Sequence, residues 1–549
     1  MIMRHYLATL QTNMKSLWDK PALCNYKGET FTNKQLAENI VKFSLAFKNA
    51  GIKPGDKIAI CAKNTARWAV SFLSSNAYRA VTVTILCDFH PDSISHLVNH
   101  SESIVLFTDK EIWDKLDKDS MPLLKVVVNV DDFSVLYAAD DDTRKAFECR
   151  EEAFSTAYPD GLRKDDFILP TDNLGDLAVI NYTSGTTSAP KGVMLTYGNL
   201  SSSIAFGHDH IPVHADDSIV SMLPMAHIYG MVYELLYPLA GGCAVYFLGK
   251  TPAPSLLLKA MHDVQPFLVC TVPLVMEKVY KSSIKPVLGK WYMKILTSIP
   301  GVRKIIFNKV RSSLDTAFGG KVRSYIMGGA ALNPEVEKCF KRIGLHYTVG
   351  YGMTEAAPLL AYEDWRYYVP GSCGKAINCI KARIDSDDPQ HIAGEIQAKG
   401  DNITIGYYKN EEATKAAFTD DGFLKTGDLG IMDAKGNIFI KGRSKSMILS
   451  ANGQNIYPEE IEAVVNNQPF VAESVVVDRS GKIVALVFLD AEAVKKSGLD
   501  MEAISDIPEN IRHQANRKLP GYSQIAKVEQ VMVPFEKTPK MSIKRFLYK

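Results

Sequence analysis

The chain has 549 residues, 46% hydrophobic and 23% charged, which is typical of a globular protein with two to four domains. Its formal net charge of +2 excludes a general attraction to nucleic acid, so we expect no nucleic-acid partner. Nine cysteines without a CxxC pair fit neither a disulfide framework nor a zinc site, and no apolar run is long enough to span a bilayer. We therefore expect a cytoplasmic protein, with peripheral contact to the inner face of a membrane as a further option.

The N-terminal part alternates between helical and strand patterns. Residues 31–51 predict a helix that begins at Thr32 or Asn33 and ends at Gly51. The pattern then predicts strands at 57–63, 81–86 and 104–109, with helices at 64–80 and 90–100 between them. Such alternation indicates a largely parallel sheet covered by helices, in which ligands bind beyond the carboxyl ends of the strands.

A short apolar strand at 177–182 leads into the loop NYTSGTTSAPKGVM, residues 181–194. Four hydroxyl side chains surround one glycine there: Thr183, Ser184, Gly185, Thr186 and Thr187. With the positive charge of Lys191 nearby, this composition predicts a cradle for an anion, phosphate above all. A P-loop is excluded, because Pro190 precedes the lysine and Gly192 follows it. Taken alone, the loop is equally typical of a ligand-free surface turn.

Further motifs follow in one order along the chain. They are SMLPMAHIYG with His227, YIMGGAAL ending a strand in two glycines, VGYGMTE, KTGDLG, GRSK and ANGQNIYPEEIE. Each has an ordinary structural explanation by itself; a lone histidine such as His227 is more often a hydrogen-bonded core residue. Their joint occurrence with the hydroxyl-rich loop indicates a nucleotide site.

The last hundred residues have a different character. After 441–450 the pattern predicts a helix beginning within 451–467, a pair of strands at 474–478 and 482–490, and a helix at 501–519. This is an α+β unit of small-domain size. We therefore predict two domains, 1–444 and 445–549, with the boundary near Lys445.

These motifs, in this order, resemble the adenylate-forming superfamily of acyl-CoA synthetases, luciferases and peptide-synthetase adenylation domains. The chain looks most like the long-chain fatty acid–CoA ligase branch, and the resemblance runs from about residue 20 to the C-terminus. It implies an α/β fold with a large N-terminal domain of helix-covered, mainly parallel sheets and a small, mobile α+β C-terminal domain. It also implies ATP, Mg²⁺ and CoA as cosubstrates: a fatty acid is activated to acyl-AMP and transferred to CoA, releasing AMP and pyrophosphate.

The resemblance assigns roles around the phosphates. The loop from Thr183 to Lys191 would hold the β and γ phosphates of ATP while they gain charge. Thr354 would hydrogen-bond the α-phosphate. Glu355 would ligate Mg²⁺, a hard cation that prefers oxygen. Tyr351 would stack on adenine.

The remaining roles concern the sugar, the acid and the second half-reaction. Asp428 would accept both ribose hydroxyls, and Arg443 would donate to ribose or phosphate. His227 would position the reacting carboxylate, and Gly329 and Ala330 would line the adenine and acyl pocket. The small domain would rotate about a hinge at Lys445 and bring the loop containing Gly453 to the pantetheine arm of CoA.

The sequence departs from the family pattern at two places. Ser188 replaces the second glycine of TSGTTG, a change we expect to be tolerated. More seriously, aligning the terminal Ile-x-Arg at Ile543 puts Ser542 where the family has the catalytic lysine that contacts the carboxylate and the α-phosphate. Lys540 and Lys544 flank that position, and the lysine stem is long and flexible enough for either to reach the site. We predict that Lys540 takes over the role, because it lies nearest the Thr538–Pro539 turn that the family places over the site.

Two further stretches have alternative interpretations. His208, His210 and His214 are spaced as in some metal sites, but no carboxylate or cysteine pattern completes the set. The stretch 278–314 holds nine basic and no acidic residues, with aromatic and aliphatic residues among them. It is typical of a solvated helical face with its own core stripe, and the alternative is peripheral docking on anionic lipid.

Other functions stay open at this point. The acid or the acceptor could differ, for example an aryl acid or an acyl carrier protein, and the loss of the usual lysine is compatible with a nucleotide-binding pseudoenzyme. The apolar residues after His227 predict a tunnel for long or medium acyl chains; they are Met231, Tyr233, Leu235 and Leu236.

Overall fold

The computed structural model describes residues 4–183, 190–249, 254–449, 455–479, 481–537 and 543–548. Ser184, Gly185, Thr186, Thr187, Gly453, Lys540 and Ser542, which the sequence analysis singled out, lie outside these ranges.

Strands occur throughout both domains. In chain order they are β1 (Pro21–Asn25), β2 (Thr30–Thr32), β3 (Lys57–Cys61), β4 (Val81–Thr84), β5 (Ser103–Thr108), β6 (Val126–Asn129), β7 (Val135–Ala138), β8 (Leu177–Thr183), β9 (Lys191–Thr196), β10 (Ser218–Ser221), β11 (Ala244–Phe247), β12 (Leu268–Thr271), β13 (Ser324–Met327), β14 (Tyr347–Val349), β15 (Tyr351–Gly352), β16 (Leu359–Tyr362), β17 (Lys375–Ala376), β18 (Ile380–Asp385), β19 (Gly394–Gly400), β20 (Gly406–Tyr407), β21 (Leu424–Met432), β22 (Ile438–Arg443), β23 (Ile448–Leu449), β24 (Asn455–Ile456), β25 (Val471–Arg479), β26 (Lys482–Leu489) and β27 (Lys527–Val531).

The helices cover these strands. They are α1 (Tyr6–Ser16), α2 (Asn33–Asn49), α3 (Ala66–Ala77), α4 (Pro91–His100), α5 (Lys110–Trp113), α6 (Asp141–Glu148), α7 (Arg150–Ala157), α8 (Tyr197–His210), α9 (Ile228–Gly230), α10 (Tyr237–Ala240), α11 (Pro254–Val264), α12 (Pro273–Val279), α13 (Lys285–Leu288), α14 (Trp291–Leu296), α15 (Pro300–Ala317), α16 (Pro334–Ile343), α17 (Glu411–Ala417), α18 (Pro458–Val465), α19 (Ala491–Ser497), α20 (Met501–Ser505) and α21 (Ile507–Asn516). Two π-helical turns, Met231–Leu236 and Tyr280–Ile284, join α9 to α10 and α12 to α13.

The strands predicted in the N-terminal part belong to one eight-stranded sheet. Its order is β20-β9-β8-β4-β3-β5-β6-β7, and the strands from β8 to β6 are parallel to one another. The helix predicted at 31–51 is α2, and Thr32 begins it with a capping box: its hydroxyl accepts from the Gln35 amide while the Gln35 side chain accepts from the Thr32 amide. The α/β fold with a large N-terminal and a small C-terminal domain is confirmed.

A second, parallel sheet of order β12-β13-β14 has its own hydrophobic core. Helices α11, α15 and α16 supply much of that core through residues such as Met261, Leu314 and Phe340. An antiparallel sheet of order β18-β19-β21-β22 completes the large domain near its boundary with the small one. Three separate chain segments therefore supply β13, β14 and β21.

The small domain pairs β25 with β26 antiparallel and β26 with β27 parallel, packed against α18 and α21. The helix predicted at 501–519 is two helices, α20 and α21. Asp506 ends the first, and Pro508 stands in the first turn of the second, where its missing N–H costs no hydrogen bond. Among the described residues, no helix is long and apolar enough to cross a membrane.

Candidate active site

A buried carboxylate lies at the centre of the site. Asp428, on β21, accepts a 2.6 Å hydrogen bond from the Tyr351 hydroxyl at Oδ2. Its Oδ1 forms an ion pair with Arg443 Nε at 2.7 Å. Burial raises the pKa of Asp428, while the Arg443 charge and the tyrosine hydrogen bond act in the opposite direction. Three residues predicted from three separate motifs are thus in direct contact.

Backbone geometry explains why this carboxylate can sit here. Arg443 lies opposite Asp428 in the antiparallel register of β21 and β22, so the ion pair is a cross-strand pair. Gly427 has φ +72°, a left-handed conformation that favours glycine, and its amide donates to Glu395 Oε1 at 2.9 Å. The Thr426 hydroxyl accepts from the Asp428 amide at 3.1 Å. The TGD motif is therefore a local irregularity of the strand, which directs the aspartate side chain inward.

The hydroxyl-rich loop connects two paired strands of the large sheet. Thr183 ends β8 and Lys191 begins β9, and the two are partners in the antiparallel register, so the described ends of the loop are adjacent. The intervening hydroxyls and Gly185 are not described, and their role as a phosphate cradle stays a prediction. The Asn181 side chain on β8 donates to the Ala226 carbonyl at 2.7 Å, which ties this strand to the loop that carries His227.

Lys191 and Glu355 are linked through a residue that the sequence analysis missed. The Tyr407 hydroxyl donates to Glu355 Oε1 at 2.9 Å, and Lys191 Nζ lies 5.0 Å from the centroid of the Tyr407 ring. Among the residues that the structure describes, none bonds the second carboxylate oxygen of Glu355. One carboxylate next to the predicted phosphate loop fits Mg²⁺, which takes one or two carboxylates together with substrate phosphates.

The two glycine motifs follow neighbouring strands. Since β13 and β14 are parallel partners, Gly329 and Tyr351 follow them at the same edge of the sheet. Gly329 has φ +85°, and both it and Ala330 are exposed to solvent. Thr354 is buried in the short turn that follows Tyr351. The predicted adenine residues thus share one sheet edge.

His227 lies on a loop that is held from both sides. Its Nδ1 accepts from the Tyr229 amide at 3.2 Å as the cap of α9, and the side chain is half-buried. From the π-helical turn that follows, Glu234 Oε2 accepts from the amides of Met222 and Leu223 at 3.0 and 2.8 Å. The Glu234 side chain therefore holds the backbone of the loop that leads to His227.

We expect Glu234→Gln to make the protein less sensitive to alkaline pH. Full burial raises the pKa of this carboxyl well above its usual range, so the folded state holds a proton that the unfolded chain releases. Its contribution to stability is present below about pH 4.5 and is lost as pH rises toward the folded pKa. Glutamine keeps the oxygen acceptor without a titrating group.

Thermal unfolding at pH 5 and pH 8 measures this effect. Between pH 5 and pH 8, Tm should fall less in Glu234→Gln than in the native chain. The difference should be a few degrees, because a change of 1 kcal/mol in stability shifts Tm by about 2–4 °C or less in a domain of this size. Glu411→Gln, on an exposed turn of α17, is the control and should change nothing. An identical pH dependence in the native chain and the glutamine variant would refute the buried proton.

The small domain contacts the large one near these residues. Asn333, which follows the Gly329 loop, donates to Asn467 Oδ1 at 2.7 Å, and Lys441 Nζ lies 3.3 Å from Glu460 Oε1. Lys445 is exposed in the turn between β22 and β23, and its role as a hinge stays a prediction.

The described residues around the C-terminal segment 538–542 are anchored on the small domain. Lys537 pairs with Glu473 and, as an isolated antiparallel bridge, with Ile543. Lys544 Nζ lies 3.3 Å from Glu536 Oε2, and Arg545 pairs with Glu462. Lys544 is thus engaged in an ion pair, and the role of Lys540 stays a prediction.

The histidine spacing at 208–214 does not make a metal site. His208 Nε2 bonds the Tyr237 carbonyl at 2.9 Å and His210 Nδ1 bonds the Phe206 carbonyl at 3.0 Å. No group of three or more His, Cys, Asp or Glu in the described ranges is placed to hold a metal ion. The Mg²⁺ predicted at Glu355 would need no such group, because oxygens of the substrate phosphates would complete its coordination.

Sequence reasoning missed the residues that connect the motifs. For Asn181 a signal exists, since a lone amide within an apolar strand is unusual and needs a partner. Tyr407 offers no such signal, because it lies in GYYKN among other surface-type residues and its contacts come from distant segments.

A large domain of parallel sheets followed by a small α+β domain, with a buried carboxylate and a hydroxyl-rich loop that follows a sheet strand, is typical of the class of adenylate-forming enzymes. The chain belongs to the AMP-binding enzyme family: the family matches residues 10–408, and its C-terminal domain matches residues 445–548. Adenylate-forming ligases use ATP, CoA and Mg²⁺.

Named enzymes of other organisms are similar in sequence to most of the chain. Long-chain-fatty-acid–CoA ligase FadD15 of Mycobacterium bovis is 28% identical over 94% of this chain and 89% of its own length. Long-chain-fatty-acid–CoA ligase 5 of Rattus norvegicus is 30% identical over 78% of this chain and 66% of its own. Among solved structures, ATP-bound MatB from Rhodopseudomonas palustris has a TM-score of 0.77 at 23% identity, covering 98% of both chains. The anthranilate CoA ligase AuaEII with anthranoyl-AMP has a TM-score of 0.79 at 19% identity, covering 100% and 97%. At these identities the solved structures establish the fold alone.

Proposed function

We propose that this protein is an ATP-dependent fatty acid–CoA ligase that forms acyl-AMP and then acyl-CoA, with a preference for long or medium acyl chains and a cytoplasmic location. The observation that carries the proposal is the contact of Asp428 with both Tyr351 and Arg443, next to the Lys191–Tyr407–Glu355 group. Relatives that cover most of the chain are named long-chain fatty acid ligases, which supports the choice of acid.

The proposed residues divide the first half-reaction among them. A carboxylate oxygen of the fatty acid attacks the α-phosphate of ATP, pyrophosphate leaves, and a mixed anhydride with AMP forms. Asp428 holds the ribose, Thr354 contacts the α-phosphate, and the loop ending at Lys191 binds the departing pyrophosphate as it gains charge. Mg²⁺ at Glu355 would supply further charge neutralisation there. His227 orients the carboxylate, which needs no base because it is already ionised.

The second half-reaction uses the same acyl pocket. The thiol of CoA attacks the acyl carbonyl, its proton leaves to solvent, and AMP is the leaving group. We propose that the small domain turns about Lys445 and that the Gly453 loop meets the pantetheine arm. A glycine suits a backbone that must approach a ligand closely.

The acyl pocket is proposed to lie along the helical segment after His227. Met231, Tyr233 and Leu235 are buried there among other apolar side chains, and the one charged residue, Glu234, is turned to the loop backbone. A wall of this composition favours a hydrocarbon over acetate or an amino acid.

We expect kcat/KM to rise strongly from butyrate to decanoate. Each methylene buried in an apolar pocket contributes up to about 0.8 kcal/mol, which is roughly a fourfold gain in kcat/KM. AMP release is measured with ATP, Mg²⁺ and CoA on acetate, butyrate, decanoate, oleate and benzoate.

Controls without CoA separate the ligase from its alternatives. Acid-dependent ATP–pyrophosphate exchange without CoA-dependent AMP release would indicate a different acceptor, such as an acyl carrier protein. A flat profile from butyrate to decanoate, or a preference for benzoate, would contradict the apolar tunnel and favour another acid.

A further inference from the structure

The basic stretch 278–314 folds into two unlike parts. Helix α15 packs Phe307, Val310 and Leu314 against the core of the β12–β14 sheet, so it has the core stripe expected of a surface helix. The helix α14 before it, Trp291–Leu296, buries none of its residues.

The outward side of this region is unusually apolar. Trp291 is 73% exposed, Ile295 56% and Ile305 70%, and Tyr292, Leu296 and Ile299 are exposed as well. We call these six residues the apolar face. Adjacent exposed side chains of this size on a folded protein mark an interaction site, because leaving them in water is unfavourable.

The charges around the apolar face have one sign. Lys290, Lys294, Arg303, Lys304 and Lys309 are interleaved with it, and in the part of the chain that the structure describes none of them has a carboxylate within ion-pair distance. Elsewhere in the stretch, Lys285 pairs with Glu335 and Arg311 with Asp315. Unpaired cations beside exposed aromatic rings match an anionic, amphiphilic partner.

We propose that the apolar face docks on a phospholipid bilayer that contains anionic lipid. Trp291 and Tyr292 have the amphipathic rings that favour the headgroup region, while the isoleucines enter the acyl boundary and the basic side chains contact lipid phosphates. A protein partner would need a matching concave apolar surface, whereas a bilayer accommodates a convex face of mixed tryptophan, isoleucine and lysine.

The docking surface is continuous with the layer that carries the nucleotide residues. Helix α12 begins two residues after the end of β12, and α12 and α15 pack on the sheet whose strand ends lead to Gly329 and Tyr351. A bilayer bound here would hold the large domain by one side and leave the contact between Asn333 and Asn467 of the small domain untouched. The inference concerns binding to lipid and does not depend on which acid is activated.

Co-sedimentation with vesicles tests the proposal in the full chain without ATP or substrate. We expect binding to phosphatidylcholine vesicles that contain phosphatidylglycerol, weaker binding to phosphatidylcholine alone, and weakening with added salt. The double variant Lys290→Gln/Lys294→Gln should lose about fivefold in partition coefficient per lysine. Trp291→Ser/Ile295→Ser should reduce binding to both kinds of vesicle. The control pair Met532→Ser/Val533→Ser, on another exposed apolar site, should leave binding unchanged.

Tryptophan fluorescence locates the bound surface. Of the five tryptophans, all of which the structure describes, Trp291 is the exposed one. Lipids brominated along the acyl chain should therefore quench the native protein, and Trp291→Phe should abolish that quenching. The proposal is overturned if the native chain does not bind anionic vesicles at low salt, if it binds without quenching of Trp291, or if sedimentation velocity shows a dimer that Trp291→Ser dissociates.

Discussion

We expect Lys540→Ala to slow acyl-adenylate formation by roughly 10²–10³-fold, the loss typical of removing one preorganised charge from a transition state. The physical reason is that negative charge accumulates on the α-phosphate only while pyrophosphate departs, so a cation there acts in the first half-reaction. Thioester formation from a supplied acyl-adenylate should stay nearly intact. ATP–pyrophosphate exchange measures the first step and acyl-CoA formation from synthetic acyl-AMP the second.

Lys544→Ala is the matched control for this prediction. Lys544 lies on the other side of Ser542, but its ammonium group pairs with Glu536, so its removal should leave both steps unchanged. If both half-reactions survive Lys540→Ala, that lysine is a surface residue. If the native protein binds ATP but forms no acyl-adenylate with any acid, it is a nucleotide-binding protein rather than a ligase.

The second large effect is expected at Asp428. Asp428→Ala should weaken ATP binding by about 2–3 kcal/mol, or roughly 30- to 150-fold in Kd, because two charge-assisted hydrogen bonds to ribose are lost. Titration calorimetry with AMP and with ATP is the measurement. Since ribose is common to both nucleotides, the two affinities should fall by the same factor.

The design separates nucleotide binding from folding. Removing Asp428 also leaves the Tyr351 hydroxyl and Arg443 without their partner, so Tm is measured beside Kd. Asp421→Ala is the control: that carboxylate pairs with Arg383 Nη1 at 2.6 Å, and its loss should leave nucleotide affinity as it was. Unchanged ATP affinity in a folded Asp428→Ala variant would refute the assignment, and a loss confined to ATP would place Asp428 near the phosphates instead.

The class of fold and most of the candidate residues can be predicted from the amino-acid sequence. Alternating patterns of period two and 3.6 predict the parallel sheet, because an element that buries one face needs apolar residues at that spacing. Tyr351, Asp428 and Arg443 are recognisable because their motifs resemble those of the adenylate-forming superfamily, and Gly427 beside Asp428 shows that such a motif needs a particular backbone conformation.

The contacts between these residues depend on the tertiary fold. Tyr351 and Asp428 are 77 positions apart and bond each other directly, while Tyr407 joins Lys191 to Glu355 across separate strands. Likewise, the sequence of 278–314 predicts one solvated face, but its residues differ in burial: Tyr280, Ile284 and Leu314 pack on the core of the β12–β14 sheet, whereas α14 buries none of its residues. Partners and exposure at such positions depend on packing between distant segments, which leaves no local pattern in the chain.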